Sequence, residues 1–477
     1  MKRTSQIAVL VGILLIAATL LAACGSKATP TVAAGTEAPT TAPATQAPTA
    51  APELVGDPIR GGRLYDIWFE ELGVDPPTDV SALWTGASTQ GEDAAPEDTY
   101  LCAACHGFDY QGDNGFVGIA ADAGKDPNEI LAILKGSTDP NHDFSTYMDD
   151  QALADLALFV SNEQIDVTTI VADGKPVNGV AENGKTLFGD NCTDCHGPQG
   201  LGINFQNDSA PEYPSSIANE DPVELLTKLR FGQPGVEKMP SGIDNSWTDQ
   251  DYADAIAYIA GLPDSSPVAE GGRMYDDWIT ANAATAPEGN QPLWTGPLTS
   301  GGEDIAAADT WRCSSCHGWD YKGDNDFATD LLAARTKSSE ELLAAITGKT
   351  DPQHDFTAQF TAPELDAMVA FIQNAVVDKT PYINADGTAI GDAAHGKQLY
   401  NSICKSCHGD DGKELNFQAD EGGEEFLATV AIDNAWEFFN KTSIGQPGEA
   451  MPAGLNLGWS LQDFADVLAY AQTLPAK

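Results

Sequence analysis

The chain has 477 residues, and its 71 acidic and 24 basic side chains give a formal net charge of −47. Binding to nucleic acid requires a surplus of Lys and Arg facing the phosphates, so this balance argues against nucleic acid as a partner. The length allows about three domains, and short repeats would raise that number. An acidic surface of this kind favours solubility and attracts basic partners.

The N-terminus has the pattern of an exported protein. Lys2 and Arg3 precede an apolar run from Ile7 to Leu21, which is typical of a secretory signal. A spanning helix would need about 20 apolar residues, so an uncleaved membrane anchor is the weaker alternative. The run ends at Leu-Ala-Ala-Cys24-Gly, which resembles a bacterial lipobox. The resemblance implies that residues 1–23 are a signal peptide and that Cys24 carries lipid. We therefore expect an extracytoplasmic protein, periplasmic or at the cell surface, anchored to the cell membrane.

Residues 24–59 are predicted to form a tether. The segment from Ala28 to Pro52 consists mostly of Ala, Thr and Pro, a composition that cannot bury a core. As a random coil it would reach about 30 Å. Such a tether would let the rest of the chain sample a volume around its lipid anchor.

Four copies of the pentapeptide Cys-x-x-Cys-His follow. They are Cys102, Cys105 and His106; Cys192, Cys195 and His196; Cys313, Cys316 and His317; and Cys404, Cys407 and His408. The motif is the attachment signature of a c-type haem. Cysteines at i and i+3 share one helix face, so both thiols reach the haem vinyl groups, and the next His is the proximal iron ligand. Of nine cysteines only Cys24 is outside the motifs, and neither a disulfide framework nor zinc would place His after each pair. The sequence predicts four covalently bound haem c groups.

The rest of the chain is a duplicated pair of units. Gly-Gly-Arg-Leu-Tyr-Asp from Gly61 returns as Gly-Gly-Arg-Met-Tyr-Asp from Gly271, and the second haem motif returns as the fourth. The offset is nearly constant (271 minus 61 is 210, and 404 minus 192 is 212). We name the predicted units A (60–168), B (169–265), A′ (266–380) and B′ (381–477), each with one haem motif.

Each unit is predicted to be helical. A helix precedes the haem motif at Gly184–Phe188 and at Gly396–Tyr400, and a middle helix spans Asp221–Phe231. An amphipathic helix closes each unit, at Gln151–Val160, Asp251–Ile259, Ala362–Ile372 and Leu461–Ala471. This order resembles the small all-α cytochrome c fold, in which the terminal helices cross beside the haem. Units A and A′ add an N-terminal arm of about 40 residues. The Trp residues of the arms, which are Trp68, Trp84, Trp278 and Trp294, either cover a haem edge or form the core of the arm, and we favour the core.

The resemblance implies a distal Met in a loop before the last helix of a unit, often as Met-Pro. Units B and B′ contain Met239-Pro240 and Met451-Pro452 at this place, each after a Gly-Gln-Pro-Gly segment. A Met can also serve only to fill a core. The recurrence of both residues at an offset of 212 (451 minus 239) favours ligation in both units.

Units A and A′ lack Met-Pro and place His142 and His354 before the last helix, each in an Asp-Pro-x-His-Asp-Phe segment. Neutral imidazole is a strong haem ligand. The rival in unit A is Met148, but its counterpart in A′ is Phe360, so it does not recur. The sequence thus predicts two bis-His and two His/Met haems. The remaining histidine, His395, aligns with Asn183 and is expected at the surface.

These expectations favour an electron carrier that exchanges electrons with other redox proteins, such as a membrane quinol-oxidising complex, a soluble cytochrome or a terminal reductase. The alternative is a haem oxidoreductase that acts on a small sulfur or nitrogen compound or on peroxide at the A-type haems. That enzyme would need an iron with one open coordination position. In that case His142 and His354 would not be iron ligands. A tetrahaem subunit of a photosynthetic reaction centre fits less well, because the distal Met of that class usually lies on a helix before the haem motif and no Met shortly precedes the motifs here. A structural subunit of a cytochrome filament is a further alternative.

Overall fold

The computed structural model describes residues 54–84, 95–206, 211–236, 239–296, 299–300, 303–325, 327, 329–419 and 423–476. The predicted signal peptide, Cys24 and the tether up to residue 53 lie outside these ranges. Within them, helices dominate and strands are confined to two short hairpins, so the chain has the all-α class expected from the sequence.

The helices of the first half fall in two groups. Unit A contains α1 (Pro58–Leu72), α2 (Cys102–His106), α3 (Pro127–Leu134) and α4 (Asp150–Asn162). Unit B contains α5 (Ala181–Asn191), α6 (Thr193–His196), α7 (Pro214–Glu220), α8 (Pro222–Phe231) and α9 (Asp249–Ile259), and it begins with the antiparallel hairpin β1 (Val171–Ala172) and β2 (Lys175–Pro176). Helix α1 begins two residues before the predicted start of unit A.

The second half repeats this order. Unit A′ contains α10 (Pro267–Ala281), α11 (Cys313–His317), α12 (Leu331–Ala334), α13 (Ser339–Ile346) and α14 (Ala362–Asn374), with the hairpin β3 (Thr299–Ser300) and β4 (Glu303–Asp304). Unit B′ contains α15 (Ala393–Leu399), a π-helical turn (Tyr400–Cys404), α16 (Lys405–His408), α17 (Leu427–Asp433), α18 (Ala435–Ile444) and α19 (Leu461–Ala471).

Local sequence signals set the ends of these helices. Thr248 and Ser460 cap α9 and α19, and each forms a reciprocal capping box with the Asp three residues later. Pro222 occupies the first turn of α8, where its missing N–H costs no hydrogen bond. The middle and closing helices therefore lie where the sequence predicted them.

The first and last helices of each unit cross closely, in the pairs α1–α4, α5–α9, α10–α14 and α15–α19. A glycine of the first helix lies at each crossing: Gly61, Gly184, Gly271 and Gly396. A Cβ at any of the four would overlap a backbone carbonyl oxygen of the last helix. The absence of a side chain thus allows the two helix backbones to approach each other.

The arms of units A and A′ contain the first helix of the unit. Helices α1 and α10 provide this crossing, and the chain then continues for about 30 residues before the haem motif. A 3₁₀ turn (Pro96–Tyr100), rather than a helix, leads into the motif of unit A. Trp68 and Trp278 are almost fully buried, so these two residues form the core of the arm, as expected. Trp84 and Trp294 are only partly buried and pack on Phe116 and Phe327, so the core prediction does not extend to them.

Units A and B pack together, and A′ and B′ pack in the same way. Helix α1 contacts α8 and helix α10 contacts α18. Lys228 bonds to Asp66 across the first interface at 2.5 Å, and Lys441 bonds to Asp276 across the second at 2.5 Å. The ion pairs are largely buried, and breaking one would leave an uncompensated charge. Each half is therefore a packed pair of units.

None of the described helices combines the length and the apolar character needed to cross a bilayer.

The helix crossing can be tested with two glycines of one helix. Gly184→Ala places a methyl group against the Asp254 carbonyl and should destabilise the protein by about 1–3 kcal/mol, as overpacking does. Gly189→Ala, also in α5, meets no atom within 4 Å and should instead stabilise it by about 0.5–1 kcal/mol. Denaturant unfolding measures both. Equal effects of the two substitutions would contradict the close crossing.

Candidate functional site

The four Cys-x-x-Cys-His motifs all lie on or beside short helices: α2, α6, α11 and α16. No disulfide joins any of the eight motif cysteines, all of which lie in the described part of the chain. Burial raises the pKa of the Cys102, Cys192, Cys313 and Cys404 thiols to about 12. The first sulfur of each motif is therefore shielded from water, at the position where the sequence predicts a thioether bond.

The motif histidines are sheltered and neutral. Burial lowers the pKa of His196 and His317 to about 4 and also lowers the pKa of His106 and His408. Neutral imidazole is the form that binds a metal. The Nδ1 atom of His106 lies 2.8 Å from the Val117 carbonyl oxygen. A hydrogen bond there fixes the tautomer and leaves Nε2 for an iron.

A second histidine faces the motif histidine in units A and A′. The ring centres of His106 and His142 are 6.2 Å apart, and those of His317 and His354 are also 6.2 Å apart. Two imidazoles bound at about 2 Å to opposite sides of one metal ion would have ring centres about 6.4 Å apart. The spacing in both units matches that of a shared iron.

Local structure aims the second histidine. His142 ends a 3₁₀ turn (Pro140–His142) that Asp139 caps. In unit A′, the His354 N–H donates to the Asp351 carbonyl at 2.9 Å. Nδ1 of His354 lies 3.0 Å from the Ala345 carbonyl of α13, and Nδ1 of His142 lies 3.5 Å from the Ile133 carbonyl of α3. With Nδ1 directed at a helix carbonyl, Nε2 is the nitrogen left for a metal.

The space between the paired histidines suits a large apolar group. In unit A a cavity of about 340 Å³ is bounded by Cys102, Cys105, His106 and His142. Ile130 and Leu156 contribute to its apolar wall. A haem needs two thiols at one edge, two axial ligands and an apolar wall, so the residues present fit this group.

Units B and B′ present a methionine loop instead. Met239 and Met451 are partly buried in loops that fold back on the ends of α8 and α18. A Cβ at Gly232 would lie 2.8 Å from the Met239 carbonyl oxygen, and one at Gly445 would lie 2.6 Å from that of Met451. The two loops therefore return to the same helix end in both units.

Two family profiles match parts of the chain. The sequence profile of the family described as "Cytochrome c" matches residues 181–263, and that of "Cytochrome C oxidase, cbb3-type, subunit III" matches residues 391–470. The two segments contain separate haem motifs. The chain is a multihaem c-type cytochrome. Cytochromes of this type bind haem c covalently and transfer electrons to and from redox partners, typically outside the cytoplasm.

Two solved structures resemble this cytochrome at low identity. Thiosulfate dehydrogenase (TsdBA) from Marichromatium purpuratum, in its as-isolated form, is 18% identical, with coverage of 78% of this chain and 86% of that one and a TM-score of 0.20. Reduced recombinant cytochrome c4 from Pseudomonas stutzeri is also 18% identical, with coverage of 41% and 98% and a TM-score of 0.14. Among curated proteins there is no significant match.

Three tyrosines support the haem motifs and were missed as site residues in the sequence. Tyr65, Tyr275 and Tyr400 donate to the carbonyl of the Gly that follows the motif histidine, at 2.6, 2.5 and 2.6 Å. The signal was present, because the first two lie at matching places in the Gly-Gly-Arg repeat. Phe188 stands at the matching place in unit B and has no hydroxyl.

Met148 and Phe360 are both buried in the apolar cores of their units. This shared placement explains why a Met and a Phe stand at matching positions, and it leaves His142 as the residue that faces His106 in the cytochrome.

His395 lies partly exposed in α15, consistent with the surface position expected for it. Its Nδ1 atom lies 2.8 Å from Asp466 Oδ2 and 3.6 Å from Asp463 Oδ1. Asp463 also caps α19, and Asp466 accepts a hydrogen bond from the Asp392 N–H. The group closes the α15–α19 crossing, as Asn183 does by donating to Asp254 in unit B.

The ion pair predicts a pH-dependent stability. The hydrogen bond to Asp466 raises the pKa of His395. A raised folded-state pKa gives stability that is fully present below the unfolded value of about 6.5 and is lost as the pH rises through the folded value. We expect the melting temperature of the cytochrome to fall through this range. His395→Asn, which copies unit B, should flatten that slope, and an unchanged slope would contradict the assignment.

Proposed function

We propose that this cytochrome is a tetrahaem electron relay at the extracytoplasmic face of a membrane, with the lipid on Cys24 as its anchor. His106 and His142 would ligate the haem of unit A, and His317 and His354 that of unit A′. His196 with Met239 and His408 with Met451 would ligate the haems of units B and B′. The haem supplies one-electron chemistry, and these residues hold it in place.

The repeated spacing of 6.2 Å between facing histidines is the observation that carries this proposal. The duplication accounts for the agreement between the two units, and it is the value itself, close to that of two imidazoles on one iron, that supports ligation in both. Because the spacing is close to that of two ligands on one iron, a haem held in this way would have no vacant side for a substrate. This favours a carrier over the alternative of an oxidoreductase acting on a small sulfur or nitrogen compound or on peroxide.

The two ligand sets would separate the haems by potential. An axial Met raises the reduction potential relative to His, and haem ligation overall spans about 0.8 V. For one electron, about 59 mV changes an equilibrium constant tenfold. An electron would therefore reside mainly on units B and B′, and partner redox proteins would exchange electrons with a chain that has two potential classes.

Near-infrared magnetic circular dichroism of the oxidised protein lacking residues 1–24 tests the ligands directly. We expect equal bis-His and His/Met signals, no high-spin component, and a haem assay that gives four haems per chain. A redox titration should then show two classes of reduction potential. A substantial high-spin fraction would overturn the bis-His ligation and support the oxidoreductase.

Single substitutions assign the signals. His354→Ala should convert about one quarter of the haem from bis-His to high-spin and leave the His/Met signal intact. Met451→His should move about one quarter of the haem from the His/Met class to the bis-His class and lower its potential. His395→Ala serves as the control, because that side chain faces Asp466, and its spectrum should match the wild type. Loss of signal from another class in either variant would contradict the assignments.

A further inference from the structure

The two halves of the cytochrome meet at the haem motifs of units B and B′. Helix α6, which carries Cys195 and His196, contacts the π-helical turn Tyr400–Cys404, with Cα atoms within 8 Å. These segments are about 210 residues apart in the chain. The attachment segment of one motif thus lies beside the turn that ends at the first cysteine of another.

The contact continues along the loop that follows His196. Gly197 has a φ of 71°, and a Cβ there would overlap the carbonyl oxygen of Asn456. A Cβ at Gly202 would lie 2.7 Å from the Leu457 side chain. The loop after the motif histidine of B therefore packs directly on the loop after Met451 of B′.

Asn456 ties three segments together. Its Oδ1 atom accepts a hydrogen bond from Ser266 Oγ at 2.6 Å, and its Nδ2 atom donates to the Leu201 carbonyl at 2.8 Å. Ser266 directly precedes α10 of unit A′, and Leu201 belongs to unit B. Ser266 and Leu201 are both buried, so water does not readily replace these bonds.

The residues that match Gly197 and Asn456 in the other copy of the repeat do not make a corresponding contact in the described part of the chain. Gly409, which matches Gly197, has a φ of 76°, but the atoms nearest to a Cβ there belong to the Glu414 side chain of its own unit, which it would overlap. Asp244, which matches Asn456, is exposed. The contact is therefore a specific junction between one face of B and one face of B′.

Units B and A′ are neighbours in sequence, but residues outside the haem motifs line the cavity that they share. Pro211 of unit B shares a cavity of about 380 Å³ with Glu270 of α10 and Glu364 of α14. None of the residues around that cavity belongs to a haem motif or to a facing histidine pair. Chain order thus does not determine which motifs are adjacent.

We infer that units B and B′ form the central junction of the relay, so that electrons cross between the halves from B to B′ in the order A–B–B′–A′. This inference rests on the proposed function. Each transfer oxidises one iron by one electron and reduces the next by one electron, without a proton. Since the rate of such a transfer falls steeply with the distance between haem edges, the packing of Gly197 on Asn456 acts as the positioning contact.

Gly197→Ala is the decisive variant, and Gly409→Ala is its matched control. Both place Ala at a positive φ and carry the same backbone strain, but only the first pushes the two units apart. Asn456→Ala is the milder second variant, which removes the two side-chain hydrogen bonds without adding an atom. Haem content and dichroism are measured first, and a wild type without four haems would overturn the proposed function rather than the junction.

Two readouts then test the junction. Pulsed EPR of the oxidised wild type should show its strongest dipolar coupling between the two His/Met haems, and selective reduction of these haems should abolish it. Gly197→Ala should weaken the coupling and increase amide hydrogen exchange at Leu201 and Leu457. Asn456→Ala should have the same two effects to a smaller degree. Gly409→Ala should change neither the coupling nor the exchange. A stronger coupling within another pair of haems, or equal effects of the two glycine variants, would overturn the inference.

Discussion

The crossing of the first and last helices is the contact on which each unit depends. It closes only because Gly61, Gly184, Gly271 and Gly396 lack side chains and let a carbonyl of the last helix approach. The crossing brings together the two ends of a unit. The chain between them must then form a loop that returns, and in units A and A′ this loop brings the second histidine to face the motif histidine. A residue with a side chain at any of the four positions would separate the helices and open this loop.

The A–B and A′–B′ interfaces share one ion pair but differ in the polar and basic residues beside it. Lys228 and Lys441 make the same ion pair in both halves. Beside it, however, Arg230 donates to the Tyr110 hydroxyl in the first half, whereas in the second the Tyr321 hydroxyl donates to Asn440 and Lys379 lies over the tyrosine ring. Burial lowers the pKa of Lys379 well below its usual value, against the opposing charge of Asp320. A basic side chain beside the tyrosine is therefore retained from two different places in the sequence.

The same divergence occurs at the helix crossings. Asp155, Asp254 and Asp466 each accept a backbone N–H from the start of the first helix, or just before it, but Ala367 stands at this place in unit A′. The crossing survives this loss because it rests on backbone contact, and the aspartate adds only a hydrogen bond at its edge. The hydrogen bond to the aspartate can thus be lost in one copy, whereas the packing of a glycine on a backbone carbonyl is present in all four units.

The sequence by itself determined the haem motifs and the closing helices, because these depend on local spacing. It also revealed the repeat, and recurrence in the repeat identified His142 and His354. It did not reveal that the arms of A and A′ contain the first helix, since the pairing of Gly61 with the backbone of α4 spans about 95 residues. Nor could it reveal that Gly197 meets Asn456, because a contact between distant loops depends on shape complementarity that only the folded chain creates. Tertiary structure therefore decided which haem motifs are neighbours, while local chemistry had already decided that each unit holds one motif.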